Sequence, residues 1–253
     1  MQRVFITGAS SGLGAALALQ YARQGAQLGL LARRGDTLRQ LIASLPHPER
    51  HRAYAVDVCD HAALKNAAAD FIAHAGGIDV VIASAGVSYG TLTEHAEDLD
   101  AFARLIAINV TATVATFAPF IATMKSQGNG RLVGIGSVAG IRGLPGAEAY
   151  SASKAAVISY CESLRLELKP AGVKVVTITP GYIDTPMTRH NAYRMPFLMP
   201  ADKFAARAAR AIADGDSYRV IPWQMGVVAK LLRALPNAVY DVAFANAPHK
   251  ARN

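Results

Sequence analysis

Short apolar runs recur along this chain at intervals that amphipathic stretches fill. Val4-Phe5-Ile6 leads into an Ala/Leu-rich stretch ending near Gln24, residues 27–32 into a stretch from Asp36 to Ser44, and residues 51–56 into one from His61 to His74. Runs at 79–84, 131–136, 173–179 and 218–221 continue the series, with helical patterns at 99–127, 150–169 and 201–213 beside them. Aliphatic runs without polar alternation suit strands buried on both faces of a parallel sheet. Punctuation falls where turns are needed: Pro46-His47-Pro48, Gly76-Gly77, Gly128-Asn129-Gly130, and Pro170 with Gly172. Strand and helix alternating this regularly predict an α/β fold, a doubly wound seven-stranded parallel sheet. No composition shift or internal repeat marks a second domain, so residues 1–221 are expected to form one unit with 222–253 as its helical tail.

Composition adds limits. Hydrophobic residues make up 52% of the 253 positions and charged ones 17%, enough for a sizeable core. The net charge of +8 raises nucleic acid as a partner, but the basic residues are scattered and no aromatic platform lies among them. Nucleic acid is therefore not expected; a phosphorylated small molecule or an anionic membrane surface accounts for the charge as well. Cys59 and Cys161 are far apart, without the spacing of a disulfide framework or a zinc site, which points to a reducing, cytoplasmic setting and no metal. Glycines and serines interrupt the N-terminal apolar stretch, so no signal peptide is expected there, and no unbroken apolar run of spanning length predicts a transmembrane helix.

Candidate chemistry sits at the ends of the strands. Thr7-Gly8-Ala9-Ser10-Ser11-Gly12-Leu13-Gly14 lies between the first strand and the first helix. Glycines in that context permit a tight turn and let a pyrophosphate approach the N–H groups of a helix N-terminus. The spacing is G-x-x-x-G-x-G rather than the ordinary G-x-G-x-x-G. After the second strand, where an acid would bind the ribose 2′-hydroxyl of NAD, stand Arg33 and Arg34. Guanidinium groups favour a 2′-phosphate, hence NADP(H). Asp36 is expected to cap the following helix. Asp57 and Val58 end the third strand, flanking an adenine or, for Asp57, capping the next helix; Ser84-Ala85-Gly86 is the exit of the fourth.

Ser137 follows the fifth strand, the edge where open α/β sheets bind ligands, and 140–146 reads as a flexible approach to the next helix. Tyr150 and Lys154 are four apart, one turn along one helical face. A Lys⁺ so placed can hold down the pKa of a phenol that is otherwise too weak for acid–base work at neutral pH. Asn109, amid apolar residues of the long helix, reads on its own as a hydrogen-bonded core amide. Pro180-Gly181, Ile183 and Thr185 lie past the sixth strand, and the segment 182–200, with Met195, Phe197, Leu198 and Met199, reads as a lid over a substrate.

Together these residues resemble the classical short-chain dehydrogenase/reductase family over residues 4–221. The resemblance implies a Rossmann-type fold and an NADPH-dependent reduction of a carbonyl to a secondary alcohol, or the reverse. It implies that Tyr150 is the acid–base, that Lys154 lowers its pKa and binds the nicotinamide ribose, that Ser137 polarises the carbonyl and that Asn109 holds a water linked to Lys154. The cofactor would lie along Gly8, Ser10, Ser11, Gly12, Leu13 and Gly14, with Arg33 or Arg34 at the phosphate and Asp57-Val58 at the adenine. Ser84, Ala85 and Gly86 would pass it, and Pro180, Gly181, Ile183 and Thr185 would hold the carboxamide. The family usually has Asn where Ser84 stands, which puts that residue's tie to neighbouring strands in question. A homodimer or homotetramer is implied through the helices at 99–127 and 150–169. The apolar lid and tail favour a hydrophobic ketone as substrate; an NADP(H)-binding regulatory module stays as the alternative.

In the tail, Val227, Val228, Leu231, Leu232 and Leu235 recur at helical spacing beside Lys230 and Arg233. This predicts a helix pair packed on the core or on another subunit. The competing expectation is an interfacial anchor giving peripheral membrane contact.

Overall fold

The computed structural model describes residues 1–189, 191, 193–245 and 247. Strand and helix alternate as β1 (Arg3–Thr7), α1 (Gly12–Arg23), β2 (Gln27–Ala32), α2 (Gly35–Ala43), β3 (Arg52–Ala55), α3 (His61–Ala75) and β4 (Val80–Ala83). Then come α4 (Asp98–Ile106), a π-helical segment (Ala107–Thr111), α5 (Ala112–Gln127), β5 (Gly130–Ile135), α6 (Glu148–Leu168) and β6 (Val173–Pro180). A short pair, β7 (Ile183–Asp184) and β8 (Met199–Pro200), is followed by α7 (Ala201–Asp214), β9 (Tyr218–Ile221), α8 (Trp223–Ala234) and α9 (Asn237–Phe244).

The main sheet has seven strands in the order β3-β2-β1-β4-β5-β6-β9, every neighbouring pair parallel. The chain winds outward one way from β1 and the other way from β4, so the switch point lies between those two strands, where such sheets bind ligands. Each face is sealed by its own apolar cluster. On one, Leu17, Tyr21 and Phe204 from α1 and α7 meet Val4, Ile6 and Ile178. On the other, Phe5 packs against Phe71 and Phe120 with ring centroids 5.7 and 4.9 Å apart. Burial of this kind, at roughly 25 cal/mol per Å² of apolar surface, is the main stabilising term.

The long helical pattern at 99–127 is not uniform. The π-helical turn widens it at Ala107–Thr111, and Asn109 sits in that turn. The whole run Asp98–Gln127 is also long and apolar enough to cross a membrane by length and composition, contrary to the expectation from sequence. Phe117, Phe120 and Met124 bury one of its faces in the core, as a helix of a packed sheet protein requires.

Three local expectations are corrected. Asp36 does not cap α2; that position belongs to Arg34, and Asp36 lies in the first turn, paired with Arg39. Asp57 does not cap α3: Asp60 does, accepting from the N–H of Ala63 at 3.0 Å, while Asp57 accepts from Cys59 N at 2.9 Å. The approach at 140–146 is not loose. Val138–Gly140 forms a 3₁₀ turn, and a Cβ on Gly140 would come within 2.6 Å of the Lys154 carbonyl carbon, so only glycine lets the turn lie on α6.

The segment 182–200 is stapled at its base, because β7 and β8 pair with each other and Thr188 Oγ1 donates to the carbonyl of Ile183 at 2.6 Å. Met199 is buried, whereas Phe197 and Leu198, read as apolar cover, are about half exposed at 51% and 47%. His190 and Ala192, part of the same reading, lie outside the described residues.

Candidate active site

The C-terminal ends of β1, β2, β4, β5 and β6 open onto one cleft of about 410 Å³. Every residue that the sequence assigned to the cofactor or to catalysis lines it, Asn109 excepted. Residues 8–14 form the floor. Gly8 has φ of +67°, and a Cβ there would lie 2.7 Å from Ala85 Cα, so the glycine lets the β1 exit press against the β4 exit. Ser11 occupies the N-cap of α1 without using its side chain as a cap. The first N–H groups of α1 therefore point at the cleft with no side-chain acceptor from their own cap, as an anion site requires. Thr7 Oγ1 accepts from Ala85 N at 3.4 Å and fastens β1 to the exit of β4, a tie that the short Ser84 side chain does not make among the described residues.

The basic end of the cleft is defined by contacts. Arg34 donates to Ser10 Oγ from Nη2 at 3.0 Å and from Nε at 3.3 Å. Arg33 lies 3.9 Å from Asp57 Oδ2, and both side chains remain largely exposed.

At the other end, Ser137 and Tyr150 share a hydrogen bond between their hydroxyls. Ser137 Oγ also accepts from Ala139 N at 3.2 Å, so its own hydroxyl hydrogen is the one directed at the Tyr150 oxygen. Burial pushes the Tyr150 phenol above its ordinary value of 10.0, and the Ser137 hydrogen bond opposes that rise. Lys154 Nζ lies 5.9 Å from the Tyr150 ring centroid and donates to the carbonyl of Ile135 at 2.9 Å. Burial lowers the lysine to about 8. Burial is the largest influence on both groups, raising the phenol and lowering the ammonium, with Lys154 set one helical turn from Tyr150.

Asn109 stands one layer behind the cleft, fully buried. Its Oδ1 accepts from Val87 N at 2.9 Å, and Nδ2 donates to Val87 O at 3.1 Å and to Ser153 Oγ at 2.9 Å. Both amide hydrogens are engaged, tying the loop after β4 to α6 one residue from Lys154. The same cleft takes in residues that sequence reasoning missed, among them Val56, Val87, Ile108, Met187 and Thr188. Thr188 had a signal in retrospect: it lies three residues past Thr185, the spacing of a hydroxyl turn, and accepts from Thr185 N at 3.1 Å. Ile108 had none: it lies in the π-helical turn, which the apolar pattern of the helix does not mark.

Comparison with known proteins agrees with this architecture. Residues 2–195 match the model of the family described as short chain dehydrogenase. An uncharacterized oxidoreductase of Myxococcus xanthus is 37% identical over 247 residues, 94% of each chain. The 2-dehydro-3-deoxy-L-rhamnonate dehydrogenase (NAD(+)) of a Sphingomonas species is 37% identical over 182 residues, 72% of each chain. Among solved structures, a short-chain dehydrogenase from Sphingobium yanoikuyae in complex with NADPH superposes with a TM-score of 0.80 at 27% identity, covering 98% of this chain and 97% of that one. A strand-edge cleft with this glycine loop and this Ser, Tyr and Lys grouping, on a chain matched over most of its length, belongs to the short-chain dehydrogenase/reductase family, and the protein is an oxidoreductase of that type.

Proposed function

We propose that the protein is an NADPH-dependent reductase of an apolar ketone, working in the cytoplasm, with Tyr150 as proton donor. The observation that supports it most is the Ser137–Tyr150 hydroxyl pair at one end of a cleft whose other end carries Arg33 and Arg34. The residues fit a nicotinamide dinucleotide: the α1 N-terminus lacks a side-chain cap, the Gly8 cradle has no room for a Cβ, and two guanidinium groups line the cleft beside the glycine loop. Arg33 and Arg34 favour NADP over NAD, although the Sphingomonas relative is named for NAD(+). The Sphingobium structure, by contrast, holds NADPH.

When bound, NADPH supplies the hydride. The chain's own residues do the rest. A carbonyl oxygen set between the Ser137 and Tyr150 hydroxyls accepts a hydrogen bond from each. Preorganised donors aimed at developing negative charge contribute about 3–4 kcal/mol apiece. Tyr150 then gives up its proton to that oxygen, and its elevated pKa keeps the phenol protonated at neutral pH, the form reduction requires. Lys154, buried beside the ring and held by Ile135 O, offers a positive charge to the phenolate left behind. A relay water at Asn109 would be held by its oxygens, since both amide hydrogens are engaged. Ile183, Pro186 and Met187 give the cleft an apolar part among its lining residues, which supports a hydrophobic ketone over a sugar.

Initial rates of NADPH and NADH oxidation against cyclic, aromatic and long-chain ketones and against aldoses test the proposal. NADPH-linked turnover of apolar ketones is expected. Turnover of aldoses alone, or a preference for NADH, would overturn it.

A further inference from the structure

The C-terminal helix pair hangs on one side chain. Arg142, in the loop between Ser137 and α6, donates from Nη1 to the carbonyls of Leu232 at 2.8 Å, Arg233 at 3.2 Å and Leu235 at 2.9 Å. Its Nη2 donates to Asn237 Oδ1 at 3.1 Å, and its Cζ lies 3.9 Å from the centroid of the Tyr240 ring. Tyr240 answers with its hydroxyl, donating to Gly143 O at 2.6 Å. At the end of α8, Leu232 O accepts a long bond from Leu235 N at 3.3 Å, and Pro236 has no N–H with which to continue the ladder. A planar cation with five N–H groups meets the carbonyls there and the negative end of the helix dipole at once, which an ammonium cannot do. One guanidinium thus fastens α8, the Pro236 bend and α9 to the same loop.

That loop is short of slack on its other side. Leu144 N donates to Ser151 Oγ at 3.2 Å, next to Tyr150, and Ser151 N donates to Ala147 O at 2.8 Å. Upstream, Ala139 N is tied to Ser137. The near end of α8 braces a second wall of the cleft: a Cβ on Gly181 would lie 2.6 Å from Met225 Cγ. The tail lies outside the 2–195 segment that the family model matches.

We propose that Arg142 is a positioning residue: through it the tail sets the loop that spaces Ser137 from Tyr150, so residues 222–245 brace the substrate site from behind its lining. This rests on the reading of Ser137 and Tyr150 as the groups that act on the carbonyl. Neither Arg142 nor Tyr240 lines the cleft.

The test uses the full chain with Arg142→Ala, Arg142→Lys and the milder Tyr240→Phe, which removes the hydroxyl and its bond to Gly143 but keeps the ring beside Arg142. Hydrogen exchange is followed over 138–151 and 232–244, NADPH affinity by fluorescence titration, and kinetics with the best ketone of the panel. In Arg142→Ala, exchange is expected to quicken in both segments. NADPH affinity should hold, and kcat/KM for the ketone should fall roughly tenfold to a hundredfold, the scale of a displaced catalytic group. Arg142→Lys should not rescue it, and Tyr240→Phe should move each readout the same way by less. Faster exchange confined to 232–244 with wild-type kinetics would overturn the proposal, leaving Arg142 a cap of the tail. If the wild type reduces no carbonyl, the functional reading fails by itself; faster exchange at 138–151 still supports the coupling, and its absence overturns it.

Discussion

Arg34 reaches Ser10 across the mouth of the cleft, its Nη2 3.0 Å from the hydroxyl, joining the exit of β2 to the glycine loop. The guanidinium is thereby held where two loops converge, with Arg33 beside it facing Asp57. Hydrogen bonds to charged groups contribute about 1.5–3 kcal/mol, roughly ten- to a hundredfold in affinity. Arg34→Ala is expected to raise KM for NADPH by that factor while leaving KM for NADH near its wild-type value. Arg33→Ala should act in the same direction. Steady-state rates with both cofactors check it, and an equal loss for both would remove the arginines from phosphate recognition.

Replacing Tyr150 by Phe deletes one hydroxyl and keeps the ring packed beside Lys154. If Tyr150 donates the proton, turnover should fall by roughly 10²–10⁴-fold, the contribution of a positioned acid. NADPH binding should persist, because the glycine loop and the arginines are untouched. Rates paired with a fluorescence titration separate the two effects; near-normal turnover would exclude Tyr150 from the chemistry.

The pH dependence has a definite sign. Oxidation of the alcohol needs the phenolate, and burial raises the Tyr150 pKa, so kcat/KM for oxidation should keep climbing into alkaline solution. Ser137 pulls the other way through its hydrogen bond. Ser137→Ala should therefore lower the rate at every pH and also move the inflection further up. A profile whose inflection falls to lower pH in that variant would contradict the geometry.

How far the sequence revealed this site depended on the scale of the signal. Strand ends and the residues beside them were legible, because aliphatic runs bounded by glycine and proline mark where a parallel sheet opens; Ser137, Gly8 and Pro180 were placed that way. The Tyr150/Lys154 face followed from helical spacing alone. The electrostatics did not, since they depend on burial. Lys154 is lowered to about 8 by desolvation, and spacing carries no record of how deeply a group is set. The π-helical turn at Asn109 was equally hidden, because its five residues fit the same apolar pattern as the α-helix around it. Arg142 was invisible as a clamp: its partners lie ninety residues or more along the chain, and no local pattern encodes them.

Lys154 gives a prediction about stability rather than rate. Its ordinary value of 10.5 in the unfolded chain falls to about 8 in the folded protein, with burial as the main cause. Between those values the unfolded chain binds more protons, so this group makes the fold gain stability as pH rises from about 8 to about 10.5. Below that window the full cost of the buried charge is present. The gap of about two and a half pKa units corresponds to about 3 kcal/mol. Cys161 opposes it: burial raises the thiol from 9.0 to about 11, so the folded state keeps that proton longer and loses stability as pH climbs through that range. The two partly cancel in the wild type, and the informative quantity is a difference. Lys154→Met fills a similar volume without a charge; because Lys154 itself lowers the Cys161 thiol, the variant also lets that thiol rise, which adds to the difference in the same direction. Urea unfolding of both proteins across this range should show the stability of the wild type gaining on the variant by about 3 kcal/mol as pH rises. Parallel curves would mean that Lys154 titrates alike in the folded and unfolded chains, and that its burial beside Ile135 is relieved by water.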